Sequence, residues 1–277
     1  MSSQVGNMKT GGRSVVEMVD VPAGAFLMGS NARADEKPQR ELHLPSYRIA
    51  RTLITNAQFD EFVRSNGYMT LAEKEEWSYT FTGTVWGEIK GADWKHPEGP
   101  ESSIDDRLDH PVLNVSWFDA TNFCEWLTRQ EGGRYRLPTE AEWEKAARGG
   151  LLLADGARNP VPDRQYPWGN QPPDSTLCNF GWHVGGRTRV GSYSPRGDSP
   201  YGCQDMAGNV WEWCLSIYRP YPYASNDGRE QLTGDANRSV RGGSWHEDKW
   251  VARVPGRGRT SPYFRDCYLG FRPVRFD

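Results

Sequence analysis

Three stretches of the chain carry apolar residues at the spacing of one helix face, and each opens on a capping signal. Thr55-x-x-Gln58 is a capping box ahead of Phe59, Phe62 and Val63, and Gly67 supplies the stop. Ser116 precedes Ala120, Phe123, Cys124 and Leu127 in an i, i+3, i+4, i+7 pattern. Thr139-x-x-Glu142 leads into Trp143, Ala146 and Ala147, with Gly149-Gly150 ending the run. The spacing therefore predicts three helices whose apolar stripes face the core. Near the start, Val19-Asp20-Val21 and Phe26-Leu27-Met28 flank Pro22-Ala23-Gly24, which predicts two strands about a turn. Past Gly150 the periodicity fades, so long loops and short strands are expected, with Val210-Trp211-Glu212-Trp213 on a sheet beneath them.

Composition fits that reading. Thirty Gly, nineteen Pro and twelve Trp among 277 residues, with 36% hydrophobic, describe a loop-rich globule with an aromatic core. Residues 1–13 are polar and Gly-rich and read as a flexible leader, and 14–277 as a single domain. The formal charge of −3 argues against general nucleic-acid binding, which needs a basic face. The C-terminal arginines are expected to pair locally instead. No apolar run reaches the length of a membrane span and no hydrophobic signal core is visible, so a cytoplasmic protein is expected. The five cysteines, Cys124, Cys178, Cys203, Cys214 and Cys267, form no C-x-x-C pair and suggest neither a zinc site nor a disulfide framework.

Several motifs run in order along the chain. Lys90-Gly91-Ala92-Asp93-Trp94-Lys95-His96-Pro97 and Asp109-His110-Pro111-Val112 are followed by Arg136-Leu137-Pro138-Thr139-Glu140-Ala141-Glu142-Trp143 and Pro167-Trp168-Gly169-Asn170. Gly208-Asn209-Val210-Trp211-Glu212-Trp213, Arg241-Gly242-Gly243-Ser244-Trp245 and Gly270-Phe271-Arg272 complete the series. Together they resemble the formylglycine-generating enzyme (sulfatase-modifying factor) superfamily over residues 17 to 277. That resemblance implies an α+β, C-type lectin-like fold with about three helices, short antiparallel sheets, long loops and an opening hairpin. In enzymes of the superfamily, copper-binding cysteines lie two and seven residues after the Gly-Gly-Ser-aromatic motif. Glu247 and Ala252 occupy those places here. Soft Cu(I) requires thiolates, so no copper and no formylglycine-generating activity are expected.

The resemblance also implies calcium at Asp205, Gly208, Val210 and Glu212, where carboxylate and carbonyl oxygens suit a hard ion. A local hydrogen-bond network around Glu212 without metal is an equal alternative. A second family calcium site would begin at Asn179-Phe180, but its later Asp has no counterpart in Trp182-His183-Val184-Gly185-Gly186-Arg187. His246-Glu247-Asp248 contains ligand-type side chains, yet three consecutive residues point apart, and an exposed polar loop is the better expectation. Cys267, with no base or anion hole named by the sequence, is expected to be a passive thiol on a surface loop.

The window from His246 to Leu269 has its own pattern. Arg253, Arg257, Arg259, Pro262 and Arg265 hold a frame, and between them stand Gly256, Gly258, Thr260, Ser261, Tyr263, Phe264, Asp266, Cys267, Tyr268 and Leu269. This layout resembles the C-terminal variable region, here 241–272, of proteins diversified by retroelements, and family drift explains it equally well. With His246, Glu247, Asp248 and Trp250 these residues form the expected contact set, and the side chains of Glu247, Trp250, Tyr263, Phe264, Asp266 and Tyr268 are expected to reach solvent together. Two functions follow. One is a non-catalytic display protein binding a protein or surface ligand through 246–269. The other is a metal-dependent oxidoreductase working without the cysteine pair.

Overall fold

The computed structural model describes residues 16–277, and the expected leader at 1–13 lies outside them. Four helices are present among the described residues: α1 (Asn56–Asn66), α2 (Leu71–Glu75), α3 (Trp117–Glu131) and α4 (Glu140–Arg148). Each begins with a reciprocal capping box, in which the hydroxyl of Thr55, Thr70, Ser116 or Thr139 accepts the N3 backbone N–H. Gly67 closes α1 in the left-handed region at φ 59°, where a Cβ would be strained. The second helix lies outside the three that the spacing predicts, because its five residues are too few to display an apolar period.

Among the described residues, twelve strands form two main sheets and two hairpin-like pairs. β1 (Met18–Val21) and β2 (Gly24–Met28) do not pair with each other, which corrects the expected opening hairpin: β2 pairs with β3 (Arg40–Leu44), and β1 with β4 (Tyr47–Ala50). A two-residue hairpin turn needs positive φ at a central residue, and the ring of Pro22 fixes φ negative. The connection instead carries the chain from one sheet to another, through Gly24 at φ 138°. β5 (Trp77–Phe81) and β6 (Trp86–Lys90) make a separate antiparallel pair. The first sheet has the order β1-β4-β12-β7, with β12 (Val274–Phe276) inserted between β4 and β7 (Arg134–Arg136).

The second sheet positions the site. Its order is β10 (Arg257–Thr260), β9 (Arg238–Arg241), β8 (Trp211–Ile217) and β11 (Leu269–Gly270), with β11 parallel to β8. One face of this sheet packs Trp211, Trp213, Leu215 and Val240 on Phe59, Phe123 and Trp126 of the helices. Its other face carries Cys214, which joins Trp143, Ala146 and Ala147 of α4.

Ion pairs, most of them buried, tie the C-terminal segment to this core. Arg272 gives Nε and Nη2 to the two oxygens of Glu212 at 2.6 and 2.8 Å, with both side chains inaccessible. Arg241 joins Glu144 and Glu140, Arg257 clasps Glu140, Arg253 holds Glu36, and Arg265 reaches Glu75. These guanidiniums also donate to backbone carbonyls at strand ends and in loops, as Arg272 does to Ala50, Arg51 and Gln204. A planar five-donor group suits a chain with so many loop carbonyls to satisfy.

Candidate ligand-binding site

β10 and β11 are opposite edges of the second sheet, yet only residues 261–268 connect them. That loop must therefore cross the sheet, and a cavity of about 240 Å³ lies where it does so. The floor is Trp211 of β8, Val240 of β9, Gly258 and Thr260 of β10 and Leu269 of β11. Phe264, Asp266 and Tyr268 of the crossing loop, Glu247 and Arg259 of β10 complete the lining. Alternation along β10 sends the guanidiniums of Arg257 and Arg259 the other way, and both lie over the ring of Tyr218, at 4.4 and 5.1 Å. A second cavity of about 210 Å³ shares Trp211 and Glu247 and extends toward Arg33 and Trp250.

The crossing loop leans on the β5–β6 hairpin. Tyr79 N–H donates to the Arg265 carbonyl at 3.2 Å, and the Tyr79 ring lies 5.8 Å from that of Phe264. Trp86 of β6 reaches further, contacting Tyr268 at 5.4 Å and His246 at 5.1 Å. Trp182, Trp245 and Tyr268 close around the same imidazole at 5.9, 5.3 and 4.6 Å. Burial in this aromatic cage lowers the His246 pKa to about 4, so the ring is neutral near pH 7. Its Nδ1 lies 3.0 Å from the Ser244 hydroxyl.

Two carboxyls give the cavity its chemistry. Asp266 is 1% exposed; its Oδ1 accepts the Tyr268 N–H at 2.9 Å, while its Oδ2 has no hydrogen-bond partner. Burial raises its pKa to about 8, opposed by the bonds from Tyr268, with repulsion from Glu247 adding to the rise. Glu247 likewise has a buried Oε2 without a partner. Burial pushes it up to about 7 against the hydrogen bonds of Ser244 and Trp211. An unmatched buried carboxyl oxygen costs free energy unless it stays protonated or finds a donor.

The sequence-derived contact set is brought together only in part. Asp248, Trp250 and Tyr263 are exposed, and His246, Glu247, Thr260, Ser261, Phe264 and Tyr268 are half-buried. Asp266 is interior, which corrects the expectation that it reaches solvent: the crossing loop turns it under itself into the cavity. Cys267 is also interior rather than on a surface loop, its sulfur accepting the Phe81 N–H at 3.3 Å, and burial raises its pKa to about 11. Leu269 is a core residue in β11. Gly256 and Gly258 leave no room for other side chains. A Cβ at Gly256 would stand 2.5 Å from the Val251 carbonyl oxygen, and one at Gly258 would stand 2.8 Å from Val240 Cγ2 and 3.1 Å from the Trp211 ring. The exposed-loop reading of His246-Glu247-Asp248 holds for Asp248 alone.

Trp86, Trp182, Trp211 and Val240 were absent from the expected site. The alternation Trp77-Ser78-Tyr79-Thr80-Phe81 before Thr82-Gly83-Thr84 is a strand-and-turn signal that locates the hairpin carrying Trp86. Nothing local marks the other three as lining residues, since chain crossing brings them there.

The copper positions hold hard and apolar groups. Glu247 offers a carboxylate, and Ala252 packs its methyl with Cys178 and Ala207. Neither is a thiolate, so the residues present do not fit Cu(I). At the calcium positions, Asp205 (φ 55°) and Gly208 (φ 69°) adopt left-handed backbone, and Asp205 Oδ2 accepts the Gly191 N–H at 2.7 Å. Glu212 is engaged by Arg272 through both oxygens. Among the described residues no three His, Cys, Asp or Glu side chains group as metal ligands.

Comparison with known proteins places the whole chain. The family described as "Sulfatase-modifying factor enzyme 1-like domain" matches residues 4–276. A formylglycine-generating enzyme of Thermomonospora curvata is 37% identical over 299 residues, covering 92% of this chain and 92% of that protein. An inactive C-alpha-formylglycine-generating enzyme 2 of Mus musculus is 35% identical over 291 residues, covering 92% and 84%. The solved structure of Treponema denticola variable protein 1 shares the fold, with a TM-score of 0.65 and 22% identity over 93% of this chain and 94% of that one. On its motifs, its α+β C-type lectin-like fold and these matches, the chain belongs to the sulfatase-modifying factor enzyme family.

Proposed function

We propose that this protein binds a protein or surface ligand through its C-terminal segment and does not oxidise cysteine. The observation that carries the reading is the pair Glu247 and Ala252 standing where the family's copper enzymes have thiolates. A carboxylate and a methyl cannot replace two soft donors, and without them this site has no means of holding Cu(I) for oxygen chemistry. Family membership is compatible with either outcome, since relatives of similar identity are named as an enzyme and as inactive.

Binding is supported by the surface itself. Trp250 and Tyr263 are 59% and 48% exposed, beside half-buried Phe264 and Tyr268, on a backbone pinned by buried arginines. Rigid aromatics on a fixed frame offer contact area at low entropic cost. If the segment is diversified, variation is restricted to positions outside Gly256, Gly258, Cys267 and Leu269, and a reverse-transcriptase gene beside a near-copy of the coding segment would mark it. The oxidoreductase reading draws on the 37% identity to a named enzyme. Metal analysis of the purified protein separates the two: no stoichiometric iron or copper is expected. Stoichiometric iron or copper would overturn the proposal.

A further inference from the structure

No described cation meets the two unpartnered carboxyl oxygens in the crossing-loop cavity, and the neighbouring basic residues are committed elsewhere. Arg257 is clasped by Glu140 and Arg253 by Glu36, while Arg259 lines the cavity's exposed side with its guanidinium turned over Tyr218. Arg33, in the adjoining cavity, lies within 4 Å of Asp35 and Glu36. The walls offered by Trp211, Phe264 and Tyr268 are aromatic, and the volume of about 240 Å³ falls below the roughly 300 Å³ at which small-molecule pockets begin. It suits one extended side chain. Such a chamber, acidic at its buried end and aromatic along its sides, attracts a cation both by charge and through ring faces.

We propose that this cavity receives the side-chain cation of a basic residue on the bound partner, an ammonium or guanidinium on a short alkyl stem, with Asp266 Oδ2 and Glu247 Oε2 as its acceptors. This rests on the ligand-binding reading above and specifies what that ligand must carry. Exposed Arg259 and the half-buried Thr260, Phe264 and Tyr268 are the lining residues nearest solvent.

Proton linkage follows from the same groups. In the empty cavity, burial raises Asp266 to about 8 and Glu247 to about 7. Asp266 faces Glu247, Tyr268 and Cys267; Glu247 faces Asp266 and neighbouring Asp248, with Arg259 lining the same cavity and Arg33, Glu36 and Arg257 across the adjoining one. An entering cation favours the ionised carboxyls and lowers both values, so binding releases protons and tightens as pH rises toward about 8.

The test is calorimetric titration of the intact protein with Nα-acetyl-lysine methylamide and Nα-acetyl-arginine methylamide, each against its neutral counterpart, norleucine or citrulline. At least one cation should bind tenfold or more tightly than its counterpart, with net proton release in buffers of different ionisation enthalpy. Asp266→Asn should abolish that preference, and Glu247→Gln should weaken it. The lysine and arginine arms identify which head group the cavity prefers. Equal affinity for charged and neutral probes, or an unchanged preference in Asp266→Asn, would overturn the assignment. That failure is separable from failure of the binding reading, which the metal analysis decides independently.

Discussion

Replacing Arg272 with Met should test how firmly the C-terminal segment is fixed. Arg272 and Glu212 are both inaccessible, joined by two hydrogen bonds of 2.6 and 2.8 Å. The guanidinium also serves the carbonyls of Ala50, Arg51 and Gln204 at 3.2, 3.0 and 2.8 Å. Met fills most of the volume but leaves Glu212 as a buried charge without its cation, and removing one partner of a buried pair costs about 3–5 kcal/mol. Against a total stability of about 5–15 kcal/mol this is a large fraction. With roughly 2–4 °C per kcal/mol for a domain of this size, the Tm should fall by about 10 °C. Urea melts should show the midpoint shift at an unchanged slope. The double variant Arg272→Met/Glu212→Leu, which leaves no buried charge, should recover part of the loss, with a coupling of about 1–3 kcal/mol. A single variant within about 0.5 kcal/mol of the parent would refute the reasoning.

Three further outcomes follow from particular atoms. Gly258→Ala should cost about 1–3 kcal/mol by overpacking, measured by thermal melts, because its Cβ would meet Val240 and Trp211; a neutral result would free that position for variation. Asp266 has a folded pKa near 8, above the ordinary carboxyl value of about 4. Its contribution is fully present below pH ~4 and lost as pH rises through about 8, so Tm should decline over that range and Asp266→Asn should flatten the decline. An unaltered pH profile in the variant would contradict this assignment. Calcium, proposed at Asp205, Gly208, Val210 and Glu212, needs lone pairs beyond the two that Arg272 engages, and a carboxylate has about four acceptor sites. Chelation should therefore lower Tm by mass action; an unchanged Tm, repeated in Asp205→Ala, would leave Arg272 as the sole counter-charge.

Elements set by local signals were legible in the chain. Three capping boxes or caps with their apolar stripes located α1, α3 and α4, because each signal and its consequence lie within a few turns. The Thr70 box was equally present, but five residues give no period to read. Pairing of β1 and β2 with strands further along the chain was not legible, since it depends on where β3 and β4 return. The same limit applied to the site. Glu247 and Asp266 were named from their window, while their meeting with Trp211 and Val240 arises from a loop crossing between two sheet edges. Which acid each arginine would hold was likewise hidden, because Arg253 and Glu36 are separated by 217 positions.

The claim that Glu247 and Ala252 leave no site for copper-dependent cysteine oxidation is tested most directly by that reaction itself. A sulfatase-type cysteine peptide should be incubated aerobically with the protein and copper, then followed by mass spectrometry. The peptide should retain its thiol, because Glu247 and Ala252 provide no thiolate pair for Cu(I). Stoichiometric conversion of that cysteine to the aldehyde would contradict the account.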